Sequence, residues 1–168
     1  MATETMDAIK MLEEDHKKVK ELLTELESTT ERGVQKRERL FATIKGEMMV
    51  HETIEEEIFY PELKSHPKAE DIVLEGFEEH HVVDLLMGEL ERLDVSDETW
   101  GAKAKVMKEN IEHHIEEEET EMFPQARKVF DESELTELGA QMTARKQEAK
   151  GNPAEVEEER EERSEPDR

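Results

Sequence analysis

A histidine and a glutamate four residues apart occur twice in this chain, each inside the same longer pattern. The first copy reads His51-Glu-Thr-Ile-Glu55-Glu-Glu-Ile-Phe-Tyr-Pro61, and the second reads His114-Ile-Glu-Glu-Glu118-Glu-Thr-Glu-Met-Phe-Pro124. Upstream of each lies a second matching segment. Asp15-His16-Lys-Lys-Val19 continues to Leu22, Leu23, Leu26 and Glu27, and Glu79-His80-His-Val-Val83 continues to Leu86, Met87, Leu90 and Glu91. The repeated unit is a pair of helices, each bringing one histidine. Residues four apart on a helix sit about 40° apart around its axis, so His51 with Glu55, and His114 with Glu118, point at one spot. With His16 and His80 they make four imidazoles and two carboxylates facing each other, an inventory that suits a two-metal centre.

Apolar periodicity places these groups on helices. A first helix is expected over about Thr5 to Ser28, with Ile9, Leu12, Val19, Leu23 and Leu26 on one stripe and His16 in the gap between Leu12 and Val19. A second runs from about Gly33 to Leu63, where the arc of His51 and Glu55 also holds Leu40, Ile44, Met48, Ile58 and Phe59. Pro67 starts a third, which reaches Leu93 and carries His80 with Val73, Val83, Met87 and Leu90. After a turn at Val95 to Asp97, with Asp97 as N-cap candidate, a fourth spans about Glu98 to Val129. Asp131 and Glu134 have capping-box spacing ahead of a short fifth helix with Leu135, Leu138 and Met142. Short connections between long helices predict an all-α, up-down-up-down four-helix bundle built from two helical-hairpin repeats. The expected organisation is a bundle over residues 1–130, the short C-terminal helix over 131–150 and a disordered acidic tail over 151–168.

Composition narrows the function classes. A formal charge of −24 over 168 residues argues against nucleic acid and anionic membranes, whose general attraction is to Lys and Arg. The chain has no cysteine, which excludes disulfides, thiolate zinc sites and thiol catalysis. No Gly-rich phosphate loop appears. No segment approaches the length of an apolar membrane helix, and the Met-Ala-Thr-Glu-Thr-Met-Asp start lacks a secretory signal, so a cytoplasmic protein is expected.

A lone histidine among apolar residues is most often a satisfied core or surface group. Four at repeat-equivalent core positions are a different case, because burying imidazoles and carboxylates without partners costs kilocalories per group, and metal coordination removes that cost. The repeat also selects among neighbours. His80 aligns with His16, whereas His81 lies about 100° away. His114 keeps the His-to-Pro step that His113 breaks, and His66 before Pro67 reads as an exposed bystander. Most of the glutamates around 55–57 and 116–119 read as a solvated face. Glu52 can complete a coordination sphere from the rim, and its counterpart is Ile115.

These residues together resemble the hemerythrin-like family, the HHE cation-binding domains, over about residues 5 to 130. The Asp-His, His-x-x-x-Glu, Glu-His and His-x-x-x-Glu elements occur in the family's order, with the Phe-Tyr-Pro and Met-Phe-Pro endings. The resemblance implies a centre of two non-haem iron ions (Fe2+/Fe3+), oxo- or hydroxo-bridged. Its histidine ligands would be His16, His51, His80 and His114, its bridging carboxylates Glu55 and Glu118, and its extra carboxylate Glu52. Oxygen-carrying hemerythrins place two histidines four apart on helix three, where this chain has Gly76 and Asp84 around His80, and their helix-four carboxylate is spaced by five. Fewer imidazoles and more carboxylates favour the ferric state and weigh against reversible oxygen carriage. The family implies a small ligand (O2, peroxide or NO) and leaves its activity open; the leading expectation is a di-iron protein that binds or reduces dioxygen-derived species, with catalase-like peroxide turnover as one activity open to it. The competing expectations are a metal-dependent sensor or binding module acting through a protein partner, and a zinc-loaded bundle, since imidazole and carboxylate suit both metals.

Overall fold

The computed structural model describes residues 6–164, and every regular element among them is helical. α1 (Ala8–Glu27) begins where the Asp7 carboxylate accepts from the Lys10 amide at 2.8 Å, which satisfies one of the donors a helix start leaves free. α2 (Val34–Ile54) runs through a π-helical turn (Glu55–Phe59) into α3 (Tyr60–Lys64). A 3-10 turn (Pro67–Ala69) leads into α4 (Glu70–Arg92). α5 (Trp100–Glu117) repeats the design of α2, passing through a π-helical turn (Glu118–Met122) into α6 (Phe123–Val129). The four rods make the expected up-down-up-down bundle, in which α1 packs on α2 and α5, and α4 on α5 and α3.

The two π-helical turns are a feature that periodicity did not reveal. In each, an amide bonds the carbonyl five residues back, Tyr60 to Glu55 and Phe123 to Glu118. The next residue is proline in both copies, Pro61 and Pro124. Proline has no N–H to donate and crowds the carbonyl four back, and the wider turn absorbs both defects without ending the rod. Asp97 differs from expectation more modestly. Its carboxylate accepts from the Thr99 amide at 2.8 Å, shaping the turn before α5, whose N-cap is Thr99.

The apolar core is split into two layers. One holds Ile9, Leu12, Ile54, Phe59, Leu63, Val73, Met122 and Phe123; the other holds Val19, Leu23, Ile44, Met48, Val83, Leu90, Trp100, Met107 and Ile111. In sequence His16, His51, His80 and His114 each fall between residues of the two layers, and all four are buried. The bundle therefore carries a polar layer across its middle.

α7 (Glu132–Gly151), capped by Asp131 accepting from the Glu134 amide, packs on α1 and α2. The acidic tail corrects the sequence reading. Residues Pro153–Ser164 form a helix, α8, lying on α2 and α7; the last four residues, 165–168, fall outside the described region. Its one buried apolar side chain, Val156, packs against Met49, Val50 and Ala149. Its glutamates find cations: Glu157 meets Lys45 at 2.6 Å and Glu159 meets Arg145 at 3.1 Å. Composition understated the order of this segment because the partners lie elsewhere in the chain.

Candidate metal centre

The polar layer has an inner ring and an outer ring. In the inner ring, ligand atoms of His16, His51 and Glu118 lie within 4.8 Å of one another, and so do those of Glu55, His80 and His114. The carboxylates are exchanged: each histidine pair is completed by the glutamate of the other half. Each glutamate also touches the histidine one turn before it. Glu118 Oε1 is 3.2 Å from His16 Nε2 and 3.0 Å from His114 Nε2. Glu55 Oε1 is 2.7 Å from His51 Nε2 and 3.4 Å from His80 Nε2. One carboxylate thus spans both groups from each side, in a pattern with a rough twofold axis.

The outer ring fixes the imidazoles. His51 Nδ1 donates to Asp15 at 3.0 Å, His114 Nδ1 to Glu79 at 2.9 Å and His16 Nδ1 to Glu119 at 3.1 Å. His80 Nδ1 faces Glu56 at 3.8 Å, beyond hydrogen-bond length. A carboxylate at Nδ1 keeps the proton there and turns a basic Nε2 towards the centre. Sequence reasoning did not assign this ring, yet its signal was in the repeat. Asp15 and Glu79 directly precede His16 and His80, while Glu56 and Glu119 directly follow Glu55 and Glu118.

Electrostatics follows burial. Desolvation pushes the Glu55 carboxyl up to about 8, assisted by the negative charge of Glu118 beside it. Burial pushes Glu118 the same way, but the charge and hydrogen bonds of His114 and its other neighbours win and hold it well below the usual range. For His114, burial opposes protonation and the carboxylates around it, Glu118 first, override that and raise it. The two carboxylates are thereby pushed in opposite directions, because both cannot be charged cheaply side by side in a buried site.

Several buried atoms have no hydrogen-bond partner among the described residues: His51 Nε2, both Glu55 oxygens, Glu52 Oε1 and His80 Nδ1. Orphaned lone pairs in a dry interior are costly, and a cation in the middle would satisfy the inner ones. The donor set of imidazole nitrogens and carboxylate oxygens fits iron, and also zinc. The residues present therefore suit the metal pair that the sequence pattern implies.

Tyr60, which carried no signal in the sequence, is the main addition. Its hydroxyl donates to Glu118 Oε2 at 3.0 Å and stands 3.4 Å from His80 Nε2. Burial holds the phenol far above its ordinary range, so it remains a donor. Its ring stacks on His80 as the Phe123 ring stacks on His16. Among the expected bystanders, His113 and His81 are exposed, and half-buried His66 sits edge-on to Phe130, away from the centre. Glu52 is fully buried, but its Oε2 pairs with Arg160 at 2.5 Å. It faces the flank behind His80.

Residues 7–126 match the family model of the hemerythrin HHE cation-binding domain. The fold is similar to the crystal structure of a hemerythrin HHE cation-binding domain-containing protein from Mycobacterium kansasii. The two are 28% identical, with a TM-score of 0.77, over 88% of this chain and 89% of that one. No curated protein matches the chain. No helix among the described residues is long and apolar enough to cross a membrane.

Proposed function

The chain belongs to the hemerythrin HHE cation-binding domain family, and from that premise we propose that its polar layer holds two non-haem irons and reacts with small dioxygen-derived ligands. His16, His51 and Glu118 would hold one ion, and His80, His114 and Glu55 the other. The observation that carries this reading is the pair of glutamates. Each reaches a histidine of both halves, so one carboxylate side chain stands beside both groups of ligands and would be shared between two ions. Bound there, an iron pair supplies one-electron steps in tandem, which suits O2, peroxide and NO as ligands.

The remaining parts of the site follow from the residues themselves. Asp15, Glu79 and Glu119 keep the Nδ1 protons of His51, His114 and His16 in place, so the Nε2 lone pairs of those three imidazoles stay turned inward. The two apolar layers exclude water above and below. The Tyr60 hydroxyl is a buried proton donor within reach of the centre and fixes one oxygen of Glu118. The reaction we put first is peroxide disproportionation, in which one H2O2 is oxidised to O2 while a second is reduced to two waters.

Metal analysis with an absorption spectrum tests the first half of this reading. About two irons per chain with near-ultraviolet ligand-to-metal bands support it, and one colourless zinc ion removes it. Oxygen evolution under excess peroxide tests the second half. Many turnovers, lost in Glu55→Ala, support catalase-like chemistry; bleaching after about one equivalent, with no oxygen released, leaves a sensor or binding role.

A further inference from the structure

Behind His80 lies a cluster that the centre does not use. Three carboxylates converge on the Arg160 guanidinium of α8: Glu52 at 2.5 Å, Asp84 at 2.9 Å, and Glu56 in a still shorter contact. Without that guanidinium, fully buried Glu52 would stand beside two further acids with no ion-pair partner. Two atoms aimed into it are buried and lack partners, Glu52 Oε1 and His80 Nδ1. Ligand atoms of Glu52, Glu56 and His80 come within 4.8 Å of one another. On its outer side the cluster meets a surface cleft of about 500 Å³, lined by Glu56, Glu78, His81, Asp84 and Arg160. On its inner side is the imidazole of His80, whose Nε2 faces the centre.

We propose that Glu52, Glu56 and Asp84 form a loading site for a divalent cation, which displaces Arg160 as α8 lifts and then passes to the centre beside His80. The guanidinium holds the place of the ion and keeps three repelling carboxylates together between loading events. The other half of the molecule lacks the elements of such a site. The counterpart of Glu52 is Ile115, and the counterpart of Asp84 is Lys20. The destination of the ion rests on the metal centre proposed above, whereas its binding at the flank does not.

The probe is Mn2+, which hard oxygen ligands hold well and whose paramagnetic signal reports binding. Amide exchange across α8 is followed in the unaltered chain as Mn2+ is added. Displacement of Arg160 predicts faster exchange over residues 154–163; unchanged or slower exchange there overturns the proposal. In Arg160→Gln the three carboxylates stand without a cation, and at limiting Mn2+, where Arg160 still competes in the unaltered protein, the variant should bind up to about one more Mn2+ per chain. An equal or smaller count overturns the proposal as well. A chain whose centre takes up no metal, but whose Arg160→Gln variant still gains an ion, keeps the loading site and loses the metal-centre reading. A fully loaded centre with both readouts flat keeps the metal-centre reading and loses the loading site.

Discussion

Around His16 and His51 the protein closes the polar layer with a lysine, whereas around His80 and His114 it uses an arginine from the far end of the chain. On the side of His16 and His51, Asp15 accepts from His51 Nδ1 at 3.0 Å and is itself paired with Lys146 of α7, and Ile115 fills the position equivalent to Glu52. On the side of His80 and His114, Glu52, Glu56 and Asp84 crowd one flank and share Arg160 of α8. The inner ring keeps a twofold pattern, which the proposed pair of ions would require of its donors. The periphery was free to diverge, and each half recruited its compensating cation from outside the four-helix unit. The appended helices are accordingly part of the site's electrostatics.

The strongest test of the symmetry is to break each half at the same place. His51→Ala and His114→Ala should each lose most bound metal and roughly 3 to 5 kcal/mol of stability, because the partners left behind are buried charges. His113→Ala and His66→Ala should lose neither. Metal analysis and thermal melting check this, and a chain that keeps its metal without His114 but not without His113 would show that the repeat alignment is out of register.

The outer ring should respond more weakly and less evenly. Removing a carboxylate behind a ligating imidazole costs about 10- to 100-fold in metal affinity, so Asp15→Asn and Glu79→Gln both weaken binding. The larger loss is expected at Asp15, which is more deeply buried than Glu79. Burial alone would raise the Asp15 carboxyl, but His51 and Lys146 hold it down at about 2. A carboxyl lowered on folding stabilises the fold above its unfolded value and ceases to do so as pH falls through its folded one. The metal-free chain should therefore lose stability as pH drops from about 4 to about 2, less steeply in Asp15→Asn. An acid melt that Asp15→Asn leaves unchanged would remove this assignment.

α7 and α8 offer a third contrast. Met142 of α7 is fully buried in the main core, so Met142→Ala should cost about 2 to 5 kcal/mol. Val156→Ala on α8 should cost only about 1.5 kcal/mol, since one small side chain carries its apolar contact. Pairs such as Lys45 with Glu157 and Arg145 with Glu159 do the rest, and these are partly exposed and open to screening. Raising salt to about 1 M should speed amide exchange in α8 and leave α7 unchanged; equal responses would mean that α8 is held by packing.

How far the sequence could be read follows from how local each signal is. The bundle, the four inner histidines and the pair Glu55 and Glu118 were legible because each rests on helical periodicity within a few turns, repeated twice. Asp15 and Glu79 were legible in principle, since the repeat marks them, but a carboxylate beside a histidine reads as surface unless its partner on another helix is known. α8 was not legible. Its glutamates look solvated in isolation, and only the fold brings Lys45 and Arg145 to them and Glu52 to Arg160. Tyr60 was hidden for a related reason: its role depends on what the adjacent helix leaves open.

That opening is the smallest departure from symmetry, and it makes the finest test. Tyr60 and Phe123 are equivalent in the repeat, as are Gly76 and Leu12. A Cβ on Gly76 would lie 2.9 Å from the Tyr60 hydroxyl and 3.0 Å from the ring carbon that bears it. The glycine makes room for the phenol, while on the other side Leu12 is fully buried in the same apolar layer as Phe123. Tyr60→Phe removes the donor to Glu118 and should cost about 1 kcal/mol. Gly76→Ala should cost more, because it pushes the phenol off Glu118 without removing it. Combining the two should cost less than their sum, since the contact at the hydroxyl is then gone and only the milder one at the ring remains. Melting of the two single variants and the double variant measures that coupling. Strictly additive losses would show that the hydroxyl and the glycine are independent and that the asymmetry at Tyr60 has another origin.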